Sequence, residues 1–262
     1  MELDTTEKQK RQWRILKAVL YVSIVIALGL GSFMVGQRLG TRDGLGEVEI
    51  YIPKESIDEP KNADGDGAKR DQDGILLVNR DNPLPDEYVV TLRTLPDGVN
   101  RAAEEAYDPL CRMLEEGRKE GLSFEICSSY RDVKRQQELF DEDVAGLMQR
   151  GYSYEEAYEE VARETMLPGC SEHSTGLAFD IVALDYQMLD AGQERTEENI
   201  WLQENCAEYG FILRYPKGKE EITSINYESW HFRYVGKEAA EHITQNGLTL
   251  EEYLEQEDMQ QG

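Results

Sequence analysis

Histidine is the scarcest chemistry-bearing residue of this chain: only three occur in 262 residues, and two of them stand in short, dissimilar motifs. Basic side chains are scarce too, with 28 Lys and Arg against 53 Asp and Glu and a formal net charge of −25. A surface of that sign repels polyphosphate, so no nucleic-acid partner is expected. The four cysteines, Cys111, Cys127, Cys170 and Cys206, match no zinc-ribbon spacing. In an exported domain they allow one or two disulfides, and buried free thiols stand beside that reading. No internal repeat is present, which sets aside solenoids and propellers. What the chain does have is a hydrophobic content of 40 %, enough for the core of one globular domain.

The one long run without charge is Ala18 to Gly36, preceded by Lys8, Lys10, Arg11, Arg14 and Lys17. Its 19 residues suffice to cross a hydrocarbon core of about 30 Å, and the basic flank places residues 1–17 in the cytoplasm. A cleaved signal peptide is the rival reading, but no small-residue cleavage site of the A-x-A kind follows the run. We therefore expect a transmembrane anchor at 18–36 and an extracellular remainder. The first 36 residues hold five Lys/Arg and three Asp/Glu, which leaves 23 basic and 50 acidic side chains beyond them, a net −27. Residues 37–74 are rich in Gly and Asp without apolar periodicity and read as a flexible linker. Within it, Asn62, Asp64, Asp66, Gly67 and Asp73 fall at EF-hand spacing. The closing residue is Asp rather than Glu, Lys69 and Arg70 interrupt the loop and no amphipathic helix flanks it, so a solvated linker is expected rather than a calcium site.

A folded domain is expected over 75–262. An apolar run at Ile75–Val78 and a strand at Tyr88–Leu92 precede a helical pattern from Asn100 to Gly117. Phe124–Tyr130 reads as a strand and Val133–Phe140 as the start of a helix. Ser153 to Glu156 is a capping box for a helix reaching Met166, closed by Pro168 and Gly169. Strands at Leu177–Val182, Phe211–Tyr215 and Trp230–Val235 surround a helix at Glu197–Tyr209, and the box Thr249 to Glu252 opens a last short helix. Without a regular βαβ rhythm, this order predicts an α+β fold on a single antiparallel sheet with flanking helices.

Asp180 lies between Ala178 and Val182 on one face of its strand, where a carboxylate needs a metal, a buried arginine or backbone donors to balance it. His173 is seven residues upstream, with Gly176 allowing a tight backbone between them. Glu228 and His231 are three apart, so reaching one cleft requires a bulge or turn at Ser229, with Trp230 and Phe232 serving the core. His173, Asp180 and His231 form the three-ligand set of a catalytic zinc with one position for water, and Glu228 is a spare carboxylate beside it. His242, in the Ala239–Ile243 stretch, reads as a helix-surface residue.

Three motifs in order carry a resemblance: Ser129-Tyr130-Arg131 with Gln136 and Leu139-Phe140; Ser171-Glu172-His173 through Gly176 and Ala178 to Asp180; and Glu228-x-Trp230-His231. Over about Leu77 to Leu254 the chain resembles the VanY-type D-alanyl-D-alanine carboxypeptidases. The resemblance implies the fold shared by zinc D,D-peptidases and the hedgehog signalling domain. It also implies zinc on His173, Asp180 and His231, Glu228 as catalytic base and Arg131 at the scissile carbonyl, with Gln136, Ser171 and Ser129 along the substrate cleft. Asp132 departs from the family, which often has Ser after the Arg, and Cys170 precedes the second motif. The expected activity is removal of the C-terminal D-alanine from peptidoglycan stem peptides, by a membrane-tethered enzyme in a bacterial cell-wall space. An L,D-carboxypeptidase on tetrapeptide stems and a non-catalytic wall-binding or signalling module are the alternatives.

Overall fold

The computed structural model describes residues 74–260, so the expected anchor at 18–36 and the Asn62–Asp73 loop lie outside the described residues. Among the described residues, no helix is long and apolar enough to cross a membrane.

The turn Leu95-Pro96-Asp97-Gly98 is fixed by local chemistry. The Asp97 carboxylate accepts the backbone N–H groups of Val99 and Asn100, each at 2.8 Å, and Gly98 takes φ +76°. It folds β1 (Leu92–Thr94) antiparallel onto β2 (Arg101–Ala103), with Leu92 opposite Ala103. This ribbon corrects three expectations. The strand starts at Leu92 rather than Tyr88, the helix waits until Glu104 because residues 101–103 are extended to pair with β1, and the sheet is not single. A Pro-Asp-Gly turn between two segments was the signal for a hairpin.

Helix α1 (Glu104–Lys119) follows, with Glu104 and Glu105 in its first turn and Arg118 and Lys119 in its last, as the helix dipole favours. Its buried stripe, Ala106, Leu110, Met113, Leu114 and Gly117, packs on the main sheet. That sheet comprises β3 (Phe124–Ser128), β4 (Ala178–Ala183), β5 (Phe211–Tyr215) and β6 (Glu228–Tyr234), all antiparallel in the order β3-β4-β6-β5. Phe179 and Ile181 of β4 join the α1 core together with Phe211, Phe232 and Leu202. The pleat therefore turns Asp180 to the opposite face.

Asp132 caps α2 (Val133–Gln149) by accepting the N–H of Arg135 at 2.7 Å, and Ser153 and Glu156 close the expected box on α3 (Tyr154–Val161). The α3 helix ends at Val161, short of Met166. The chain turns back there so that Thr165 can donate to Asp143 and the Met166 carbonyl can accept from Gln136. Phe140, Val144, Ala157 and Val161 make a small core between the two helices. Helix α4 (Glu197–Asn205) runs into a 3₁₀ turn closed by Gly210, and α5 (Glu220–Thr223) is a single turn. Helices α6 (Lys237–Asn246) and α7 (Leu250–Gln260) pack Ala240, Ile243, Leu250 and Leu254 against Ile75, Leu77 and Ile212, with the Thr249–Glu252 box formed as expected. All four cysteines are free.

Gly176 ends the 3₁₀ turn Glu172–Thr175 in the left-handed region, φ +72°, and its carbonyl accepts the Ala103 N–H at 2.8 Å. A Cβ there would stand 2.9 Å from the Ala103 nitrogen. Gly176→Ala is expected to cost about 1–3 kcal/mol by forcing a non-glycine residue into this conformation against backbone. Urea unfolding of the variant checks this, and an unchanged midpoint would contradict it.

Candidate metal centre and active-site cleft

Register brings the three donor residues together. Asp180 of β4 lies directly opposite His231 of β6, so their side chains share a face. Along β5 and β6 the pairing slips: Leu213 faces Phe232 but Tyr215 faces Glu228, so a two-residue step on β5 answers a four-residue step on β6. This irregularity spans Ser229 to His231 and lets Glu228 and His231, three apart, turn to one cleft, with the Glu228 Oε2 3.6 Å from the His231 Nδ1. His173 arrives from the 3₁₀ turn before β4.

The nitrogens are sorted by their partners. His173 Nδ1 is 2.8 Å from the Ser129 carbonyl oxygen, which can only accept; Nδ1 therefore carries the proton and Nε2 keeps its lone pair. That Nε2 lies 3.3 Å from Asp180 Oδ2, and His231 Nδ1 lies 3.1 Å from Asp180 Oδ1. Bonds of 2.0–2.1 Å to a tetrahedral zinc place neighbouring donor atoms about 3.3 Å apart, and the two separations, one to each Asp180 oxygen, are of that order. His173, Asp180 and His231 offer donor atoms all within 4.8 Å of one another, and all three residues are buried. The N₂O donor set suits a catalytic zinc. His242 lies outside this cluster, exposed on α6 beside the Tyr253 ring.

The cluster sits in a cleft of about 890 Å³. Arg131 lines it with an Nη2 3.9 Å from Asp180 Oδ2 and a buried Nε without a hydrogen-bond partner. Asp132 does not draw Arg131 aside, because its carboxylate is taken by the α2 cap. Gln136 is buried in the wall, its amide nitrogen on the Met166 carbonyl and its Oε1 unpartnered. Ser171 is buried in the lining. Ser129 also lines the cleft, but its hydroxyl donates to Asn100 and accepts from the Arg101 N–H, so its evident contribution is the carbonyl that holds His173.

Sequence reasoning passed over Glu172, Arg214 and Arg233. Glu172 is fully buried, and its Oε1 takes Arg214 Nε at 2.8 Å and Arg233 Nη1 at 2.9 Å. Glu251 of α7 grips Arg214 with both oxygens, at 2.6 and 2.9 Å. Arginines inside the strands Phe211–Tyr215 and Glu228–Tyr234 were the available signal, since a buried guanidinium requires a carboxylate.

Electrostatics divide the carboxyls. Burial alone would raise Asp180, but His173 and His231 outweigh it and hold it well below the usual range. Burial opposes ionisation of Glu172 as well, and Arg214 and Arg233 overcome it. Glu228 is the exception: burial, reinforced by Asp180, pushes it up to about 8 against the pull of His231 and Arg131. Burial lowers His173, keeping it neutral. Burial also works against the His231 cation, but the Asp180 and Glu172 carboxylates that face its two nitrogens raise it to about 9.

These shifts predict a pH-dependent stability for the metal-free protein. Glu228 keeps its proton in the folded chain up to about 8 while its unfolded counterpart loses it near 4.5. His231 stays protonated to about 9 against 6.5 unfolded. Both groups bind more protons when folded, so the stability they contribute is present at acid pH and is lost as pH rises toward 9. Chelator-treated protein should therefore melt lower at pH 9 than at pH 6, and a flat or rising profile would contradict this.

A buried His₂Asp set with a carboxyl alongside, on an α+β scaffold and open to a cleft, defines the class of mononuclear metallopeptidase centres. Residues 100–237 match the VanY family, D-alanyl-D-alanine carboxypeptidase. A D-alanyl-D-alanine carboxypeptidase of Enterococcus faecalis is 35 % identical over 257 residues, covering 96 % of this chain and 92 % of that protein. Among solved structures, a variant of the vancomycin resistance D,D-pentapeptidase VanY in complex with Zn(II) superposes with a TM-score of 0.61 at 41 % identity, over 68 % of this chain and 97 % of the other. The LD-carboxypeptidase LdcB superposes equally well, TM-score 0.61 at 38 % identity, over 70 % of this chain and 86 % of the other. The chain belongs to the VanY family of carboxypeptidases and is a zinc metallopeptidase.

Proposed function

We propose that this enzyme removes the C-terminal D-alanine from peptidoglycan stem peptides. The observation that carries the reading is Glu228: a buried carboxyl outside the donor set that lines the cleft, 3.6 Å from His231 Nδ1 at the edge of the donor cluster. We take His173, Asp180 and His231 as the zinc ligands. Zinc in such a set lowers the pKa of a water toward about 7 and polarises the scissile carbonyl. Glu228 takes the proton of the attacking water and passes it to the departing amine. The Arg131 guanidinium faces Asp180 across the cleft and balances the charge that grows on the carbonyl oxygen. Gln136 presents its free Oε1 to a substrate N–H, and Ser171 lines the same wall. A binding module of the same fold has no use for a spare carboxyl beside the donors.

The L,D reading stays beside this one because LdcB is about as similar to the chain as the D,D-pentapeptidase is. Zinc chemistry is common to both, and cleft shape decides between them. We further propose that residues 75–262 form the catalytic domain, tethered by the 37–74 linker and the 18–36 anchor at the outer face of a bacterial membrane. Incubating the full chain with defined penta- and tetrapeptide stems and weighing the products separates the readings. Loss of one alanine from the pentapeptide supports the D,D reading, loss from the tetrapeptide alone supports the L,D reading, and no product from either contradicts both.

A further inference from the structure

We infer that Glu172 is a positioning residue for the metal centre, holding His231 by its Nε2–H so that Nδ1 is the nitrogen offered to the metal. The inference rests on His231 being a ligand. Glu172 is completely buried, and its two oxygens are used differently. Oε1 is shared by Arg214 and Arg233, at 2.8 and 2.9 Å. Oε2 has no hydrogen-bond partner and stands 3.5 Å from His231 Nε2, which is buried and equally without one. An atom that can only accept thus faces one that can donate, and both are buried. On the other side of the ring, Nδ1 faces Asp180 Oδ1 at 3.1 Å and Glu228 Oε2 at 3.6 Å, which is the side of the donor cluster.

The two histidines are therefore held in opposite senses. Behind His173 the acceptor is the Ser129 carbonyl at Nδ1; behind His231 it is a full carboxylate at Nε2. A carboxylate behind a ligating imidazole fixes its tautomer and strengthens it as a ligand. The arginines aim that carboxylate. Arg214 is gripped by Glu251, and Arg233 donates to the carbonyls of Leu76 and Tyr234, so three separate parts of the chain fix one Glu172 rotamer. Because Glu172 precedes His173, a single 3₁₀ turn delivers one ligand and the holder of the other.

With only three histidines, the zinc-loaded protein labelled with ¹⁵N-histidine gives a spectrum that can be assigned directly. The expected pattern is a protonated Nε2 and a metal-shifted Nδ1 for His231, and the reverse for His173. A protonated Nδ1 on His231 would overturn the inference. In a second arm, Glu172→Asp keeps the charge opposite Arg214 and Arg233 but shortens the reach to His231, and Glu172→Gln keeps the reach and loses the charge. Each should weaken zinc binding about 10- to 100-fold in a chelator competition. Folded variants that bind zinc with the wild-type constant would overturn the role of Glu172 while leaving His231 a ligand. Absence of any metal-induced shift on His231 would instead show that the ligand assignment itself had failed, and the inference with it. Should neither variant fold, the wild-type spectrum decides alone.

Discussion

Replacing Glu228 with Gln is expected to lower peptide hydrolysis about 10²- to 10⁴-fold, the usual worth of a positioned general base, while zinc stays bound. The structure separates this residue from the donor cluster. Its carboxyl lies beside His231 rather than within the His173, Asp180 and His231 donor set, and burial already favours its neutral form in the metal-free chain. An amide of the same shape is therefore a mild change for the fold and a severe one for proton transfer. A merely structural Glu228 would give the opposite result, lowered stability with most of the turnover kept. Zinc content, melting temperature and product formation measured on one preparation of Glu228→Gln distinguish the two. Of the two arginines that a structural Glu228 would pair with, Arg131 and Arg233, the second is already paired with Glu172.

His231→Ala, three residues further along β6, is expected to lose metal and activity together. Two protein donors rarely hold zinc tightly, so zinc should fall from about one per chain to near none after dialysis. The loss also leaves the Asp180 carboxylate facing only His173 and Arg131 in a buried site, so this variant should melt lower than Glu228→Gln does. Zinc retained at the wild-type level in His231→Ala would remove His231 from the ligand set.

How much of this was legible in the chain depends on whether one element or two carried each feature. Asp180 announced itself because a carboxylate between Ala178 and Val182 on a buried strand demands compensation, and the same pleat that buries Phe179 and Ile181 turns it to the cleft. The capping boxes at Ser153 and Thr249 are local, and both formed as read. The need for an irregularity at Ser229 followed from the three-residue spacing of Glu228 and His231, though its form, a slip against Leu213 and Tyr215, depends on the partner strand. Pairing between strands was harder to see. The β1-β2 ribbon claimed residues 101–103 from a segment whose own periodicity is helical, and only the Pro-Asp-Gly turn betrayed it. The ionic group under the site was hidden for the same reason. Glu172, Arg214, Arg233 and Glu251 come from four separate stretches, and each alone looks like one more charge in a highly charged chain. Gly176 shows the middle case: its tight backbone was expected between His173 and Asp180, while the Ala103 nitrogen that crowds it comes from β2.

Reconstitution with metal tests the central claim most directly. The purified protein is stripped with a chelator, titrated with zinc, and followed by D-alanine release from penta- and tetrapeptide stems. Turnover should be absent without metal, rise linearly, and break at about one zinc per chain. Turnover that survives stripping, or that fails to return with zinc while the chain remains folded, would contradict a zinc carboxypeptidase built on His173, Asp180 and His231.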